Sequence, residues 1–222
     1  MNKKLILEKT AEFVKKELHG ESTGHDWWHI HRVWETAIKI GEEEKADLFV
    51  VQLAALLHDI DDWKMHKGDD SVGPKRVKEF LEKLGVEPKI VSEVVEIIST
   101  LSFKSPTTAS KMITIEGKVV QDADRLDALG AIGIARCFSG GQKFGQTIYD
   151  PDIKPQLNMS PEDYKKQYTG ERKNTSVNHF YEKLLLLKDQ MNTKTGKLIA
   201  EQRHKFMENF LERFYKECEG EE

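Results

Sequence analysis

The chain has 222 residues, with 34 Lys and Arg against 38 Asp and Glu for a net charge of −4, and 38% hydrophobic residues. That length suits one large domain or two small ones and buries enough surface to fold without disulfides or structural metal. The acidic balance with no basic stripe excludes a protein that coats duplex nucleic acid, because phosphate neutralisation needs clustered Lys and Arg.

Proline is absent before Pro74 and after Pro161, leaving both ends open to long helices. Leu7, Ala11, Val14 and Leu18 repeat with helical spacing and predict a first helix ending near Gly20. Ile30, Val33, Trp34, Ala37, Ile38 and Gly41 predict a second, after a break at Gly24. Residues 50–57, VVQLAALL, are apolar nearly all round and predict a buried core helix, with Asp47 as its N-cap. Val77, Phe80, Leu81 and Leu84 form a fourth, opened by Pro74 in its first turn and closed by Gly85. Pro88 opens a fifth that carries Ile90, Val91, Val94, Val95, Ile97 and Ile98.

A sixth helical stretch is expected from about Glu116 into Arg136, with Gly130 and Gly133 as weak points or close-packing positions. Residues 139–175, rich in Gly and Pro without a sustained period, predict a long irregular excursion. Helical spacing resumes over 175–191 and 195–215, ahead of an acidic tail. No strand alternation or internal repeat is present, so the expected fold is all-α in one domain spanning 1–222. Leu5-Ile6-Leu7 is too short for a signal-peptide core and no segment approaches 20 apolar residues, so a soluble, cytoplasmic protein with no membrane partner is expected. Cys137 and Cys218 form no CxxC and predict neither a disulfide framework nor a Cys-based zinc site. The apolar helices are accounted for by one core, and no surplus stripe calls for a protein partner, so the sequence leaves the oligomeric state open.

Chemistry gathers in one region. Five of the eight histidines and all four tryptophans fall within residues 25–66. His31, His66, His19 and His204 stand among polar neighbours and read as ordinary surface residues, and the tryptophans read as core filling. His58-Asp59 differs, because it ends the most apolar helix, where an ionisable pair is costly to bury unless paired or bound to a cation. An adjacent His and Asp at a helix end can both turn to one point, offering nitrogen and oxygen to a divalent ion. His29 on the preceding helix adds a second imidazole. Downstream, Asp122, Asp124 and Asp127 place carboxylates between Val119-Val120 and Ala128-Leu129, with Asp124 and Asp127 on one helical face.

The order His29-x-x-Arg32-Val33, then His58-Asp59, then Asp124 within QDADRLDALGAIGIAR resembles the HD-domain superfamily of metal-dependent phosphohydrolases. GHDWWHIHRVW, ALLHDIDDWK and NHFYEKLLLLKDQMNTKTGKLIAEQRHKFM resemble a bacterial single-domain branch of that superfamily. The resemblance covers most of the chain. It implies one divalent metal ion held by His29, His58, Asp59 and Asp124, on helices within about 24–137, with activity on phosphate esters or anhydrides of nucleotides. In this branch, release of pyrophosphate from nucleoside triphosphates is the expected reaction. A phosphomonoesterase, a cyclic-nucleotide phosphodiesterase and a non-catalytic nucleotide-binding module remain alternatives. Binuclear members carry further histidines between the HD pair and the last Asp, where this chain has only His66. Two nitrogens, two carboxylate oxygens and open positions suit Mn²⁺, Fe²⁺, Co²⁺ or Mg²⁺ better than closed structural zinc.

His25-Asp26-Trp27-Trp28-His29 imitates the HExxH of zinc proteases, but Asp replaces Glu and is better read as an N-cap, leaving His25 as a possible pocket residue. Asp62, three residues after Asp59, matches the position where related hydrolases keep an acid to orient or deprotonate the attacking water. A solvated helix end at Asp61-Asp62 is the other reading. Candidate phosphate contacts are Arg32, Lys64 and Arg125, each of which is equally suited to a structural salt bridge. Asn178, Lys183 and Arg203 match the branch's C-terminal segment, as substrate contacts or as ties between helices.

Overall fold

A computed structural model describes residues 2–20, 26–60, 72–101, 112–160, 162–163, 166 and 172–221. Among them the regular structure is helical, and the extended pairing present is an isolated bridge between Thr147 and Thr175. The fold is all-α. Among the described residues packing distinguishes two compact units, one before and including Asp124 and one from Arg125 onward.

In the first unit, α1 (Lys3–Glu17), α2 (Trp27–Glu44), α3 (Leu48–Leu57), α4 (Val72–Lys83) and α5 (Pro88–Leu101) follow the sequence pattern closely. Asp47 caps α3 by accepting the Phe49 N–H at 2.9 Å, and its own N–H donates to Glu116 Oε1 at 2.9 Å. From Val51 to Leu57 the apolar side chains of α3 are all inaccessible, enclosed by α1, α2 and α5. Gly41 lets α2 approach closely, since a Cβ there would come within 2.9 Å of Leu48 Cδ2 and 3.7 Å of Val119. Trp34 Nε1 donates to Gln52 Oε1 at 3.1 Å, tying α2 to α3. The expectation that tryptophan fills the core fails at Trp28, whose ring is 63% exposed on the outer face of α2.

α6 (Ile115–Asp127) and α7 (Gly130–Lys143) replace the single helix expected over 116–136. Leu129 is extended and Gly130 adopts φ +71°, a region that only glycine enters cheaply, so the chain turns between them. α7 then continues through Gly140-Gly141, and the irregular excursion starts at 144 rather than 139.

In the second unit, α8 (Ser176–Glu182) stops at Lys183, whose φ of −143° breaks the expected 175–191 helix. A 3-10 helix (Leu184–Gln190) and the long α9 (Lys194–Cys218) follow. The excursion is anchored at its base. Thr147 and Ile148 carbonyls accept the Ser176 and Val177 N–H groups at 2.9 and 3.1 Å, satisfying donors that the first turn of α8 leaves open. Glu182, almost fully buried, accepts from Gln156 N–H and Asn174 Nδ2, each at 2.8 Å, and from Arg172 Nη2. Asn178 Nδ2 ties Asn174 to the Ile153 carbonyl. Phe138, Phe180, Phe210 and Phe214 pack ring against ring, with Phe180 fully buried and the other three half-buried.

Candidate metal centre

Asp26 is the N-cap of α2 and accepts the His29 N–H at 2.8 Å, so its carboxylate is engaged in starting the helix rather than in acting as a protease base. The cap puts His29 in the first turn of α2, on its buried face. His58 is the C-cap of α3, and the run of apolar residues before it carries its ring into the core. Its Nδ1 lies 2.9 Å from the Ala55 carbonyl. Since that carbonyl can only accept, Nδ1–H donates to it, which leaves Nε2 as the ring nitrogen turned to the cluster.

The two Nε2 atoms face one another at 3.2 Å. Asp59 Oδ2 lies 3.2 Å from His29 Nε2, and Asp59 Oδ1 lies 3.6 Å from His58 Nε2. Asp124 Oδ1, from α6, completes the group at 3.5 Å from His29 Nε2 and 3.7 Å from His58 Nε2. All four of these residues belong to the first compact unit. The histidine side chains are 0% and 1% exposed and that of Asp124 is 35% exposed, so the cluster is closed behind the imidazoles and opens at Asp124.

The donor set itself tests whether a cation fits. Two carboxylates and two imidazole Nε2 atoms make up the set, the oxygen and nitrogen ligands that divalent cations take. A positive charge between such converging groups offsets the cost of bringing them together out of water. Ligand atoms about 2.1 Å from a divalent ion stand roughly 3.0 Å apart at right angles, slightly closer than the 3.2–3.7 Å seen here. His29, His58 and Asp59 meet the spacing of a metal-binding triad. The residues fit a divalent metal ion.

The acidic strip on α6 divides by partner. Asp124 turns to the histidines, whereas Asp127, on the same face, is buried and pairs with Arg136 Nη1 at 2.9 Å. Arg32 is half-buried one turn after His29. Arg125 Nη1 donates to the Gln190 carbonyl, so at least one of its donors is spent inside the second unit. Asp62, Lys64, Asp61, His25 and His66 lie outside the described residues. Asn178 and Arg203 act as ties, the latter through a hydrogen bond from Nη1 to the Leu126 carbonyl. The Cys137 thiol is pushed up to about 12 by burial, which leaves it unreactive. Sequence reasoning missed the Ala55 carbonyl, because a backbone acceptor leaves no mark in residue identity. It also missed the Arg136–Asp127 pair, where the only signal was a basic residue nine positions after an acid.

Residues 27–129 match the HD domain family. The chain is 40% identical to the uncharacterized protein YpgQ of Bacillus subtilis strain 168, over 96% of this chain and 94% of that one. Among solved structures, an HD-superfamily hydrolase from Bacillus thuringiensis is 44% identical, with TM-score 0.76, over 98% of this chain and 99% of that one. Bacillus subtilis YpgQ in complex with ADP has TM-score 0.76 and 36% identity, over 98% and 97% of the two chains. No described helix is long and apolar enough to cross a membrane.

Proposed function

The chain belongs to the HD-domain superfamily and is a metal-dependent phosphohydrolase, and from that premise we infer that it hydrolyses nucleotides, releasing pyrophosphate from nucleoside triphosphates. The observation that carries the reading is the convergence of His29, His58, Asp59 and Asp124 on one point with an open side. ADP bound to the related YpgQ supports a nucleotide as the ligand class.

In this reading His29, His58, Asp59 and Asp124 hold one Mn²⁺, Fe²⁺, Co²⁺ or Mg²⁺ ion. When bound, such an ion supplies the positive charge that acidifies water and draws phosphoryl oxygens. The Ala55 carbonyl keeps His58 in the tautomer that can ligate. Asp62 orients the attacking water and takes its proton. The water oxygen forms a bond to the α-phosphorus as the bond from that phosphorus to the α–β bridging oxygen breaks, and pyrophosphate leaves with the electron pair. Arg32, one turn from His29, offers a guanidinium fork to the phosphate chain. Arg125 and Lys64 are secondary contacts, Arg125 with fewer donors to give because of Gln190.

The test is a nucleotide panel with Mn²⁺, Co²⁺ and Mg²⁺ in which pyrophosphate and orthophosphate are quantified separately. Pyrophosphate with the nucleoside monophosphate is the expected product pair. Orthophosphate alone overturns the pyrophosphohydrolase reading in favour of phosphomonoester or terminal-anhydride cleavage. No hydrolysis across the panel would leave a nucleotide-binding module.

A further inference from the structure

Asp124 stands one turn from the end of α6, and that end closes with 3-10-type bonds. Ala128 N–H bonds to the Arg125 carbonyl and Leu129 N–H to the Leu126 carbonyl, each at 3.1 Å. These are i to i+3 bonds, whose geometry is poorer than that of the α-helical ladder, and a helix end of this kind frays readily. Two guanidinium groups reinforce it. Arg203 Nη1, from α9, donates to the same Leu126 carbonyl, and Arg136 Nη1 donates to Asp127 Oδ2 at 2.9 Å. Cations at this end also complement the partial negative charge of the terminal carbonyls.

The adjoining junction is shaped around the Arg203 stem. A Cβ at Gly130 would lie 3.1 Å from Arg203 Cγ and 3.3 Å from its Cβ, and Gly130 already holds φ +71°. A Cβ at Gly133 would lie 2.2 Å from the Ala128 carbonyl oxygen, so the turn also needs a bare backbone there. Gly130 thus lets the turn and α9 come close enough for one guanidinium to reach Leu126, and Gly133 lets the turn itself form.

We propose that Arg203 is a positioning residue for the Asp124 carboxylate: by fastening the Leu126 carbonyl it holds the last turn of α6 in the form that presents Asp124 to His29 and His58. The inference rests on the reading of Asp124 as a metal ligand. Arg203 acts along the covalent helix and itself touches neither ion nor substrate.

Mn²⁺ titration of the metal-free full-length chain, followed by the electron-paramagnetic signal of free Mn²⁺, tests this without any assay of turnover. R203M keeps the stem over Gly130 and removes the donors. It is expected to weaken Mn²⁺ binding about 10-fold, the scale of lost outer-shell support, at unchanged stoichiometry. R203K, which restores a cation and a donor, is expected to recover most of that loss. E182Q perturbs the second unit through Gln156, Arg172 and Asn174, and should lower the melting temperature while leaving Mn²⁺ affinity unchanged. R203Q serves as a second donor-shortened variant should R203M not fold. Wild-type affinity in R203M or R203Q, or an equal loss in E182Q, overturns the positioning role. H58A separates the two levels of the argument. If H58A loses Mn²⁺ while the Arg203 variants keep it, only the positioning role falls. If H58A binds as the wild type does, the metal-site reading falls and takes this inference with it.

Discussion

His29 Nε2 and His58 Nε2 face each other at 3.2 Å, and His58 Nδ1–H donates to the Ala55 carbonyl at 2.9 Å, which turns its Nε2 to the cluster. Two carboxylates close on the same point. A positive charge between them offsets the cost of gathering these groups out of water.

Metal binding should therefore stabilise the fold measurably. With free Mn²⁺ at about 100 times its Kd, the expected gain is about 2.7 kcal/mol, lost on chelation. The same addition to H58A or D59N should give no gain. Thermal unfolding with and without Mn²⁺ checks this, and a gain that survives in both variants would place the ion elsewhere.

Asp62 follows the ligand pair in the DIDD run. As the group that takes the proton from water, it should matter to turnover and not to metal affinity. D62N is expected to lower kcat by about 10²- to 10⁴-fold, the usual range for general-base catalysis, with Mn²⁺ affinity within the wild-type range. Retained turnover would return Asp62 to the role of a solvated helix end.

Glu182 is buried with three donors turned to it, one of them the Arg172 guanidinium. E182A would strand that charge and the Asn174 amide together. Removing one partner of a buried pair commonly costs about 3–5 kcal/mol. Urea unfolding of E182A should show a loss of that order. A loss below about 1 kcal/mol, the range of exposed pairs, would mean that the network does not hold the excursion.

His179 supplies a pH limb to stability. Burial, reinforced by the Lys183 ammonium, holds its ring down to about 3, against an ordinary value of 6.5. Because the folded form is the weaker base, unfolding takes up a proton once the pH drops below 6.5. The stability contributed by the neutral ring is complete above pH 6.5 and is lost progressively toward pH 3. Between pH 6 and 5 the slope from this one residue reaches up to about 1.4 kcal/mol per pH unit. Urea midpoints measured across that range should fall less steeply in H179Q than in the wild type. Parallel slopes would show that the ring is reached by solvent.

Much of the fold was legible locally. The caps at Asp26 and Asp47, the all-round apolar α3 and the Pro-started α5 are all written in short stretches, and each forms where the pattern puts it. The errors lie where a local period continues across a point that the backbone does not follow. Spacing runs on through Gly130, yet its φ of +71° ends one helix and starts another. Apolar spacing continues past Lys183, yet the chain tightens there into a 3-10 helix.

The sequence by itself determined which residue types are available for the chemistry and in what order: an imidazole, then an imidazole with a carboxylate at the end of a buried helix, then carboxylates on a later one. Only the tertiary structure decided how the last of these were used. Asp124 and Asp127 are the same residue on the same face of α6, one turn apart. One meets two histidines, and the other meets Arg136. Arg125, adjacent to Asp124, gives one of its donors to a carbonyl 65 positions away. The physical reason is that periodicity and capping report interactions within a few residues, whereas the partner of a charged side chain is set by which groups packing brings within hydrogen-bonding distance.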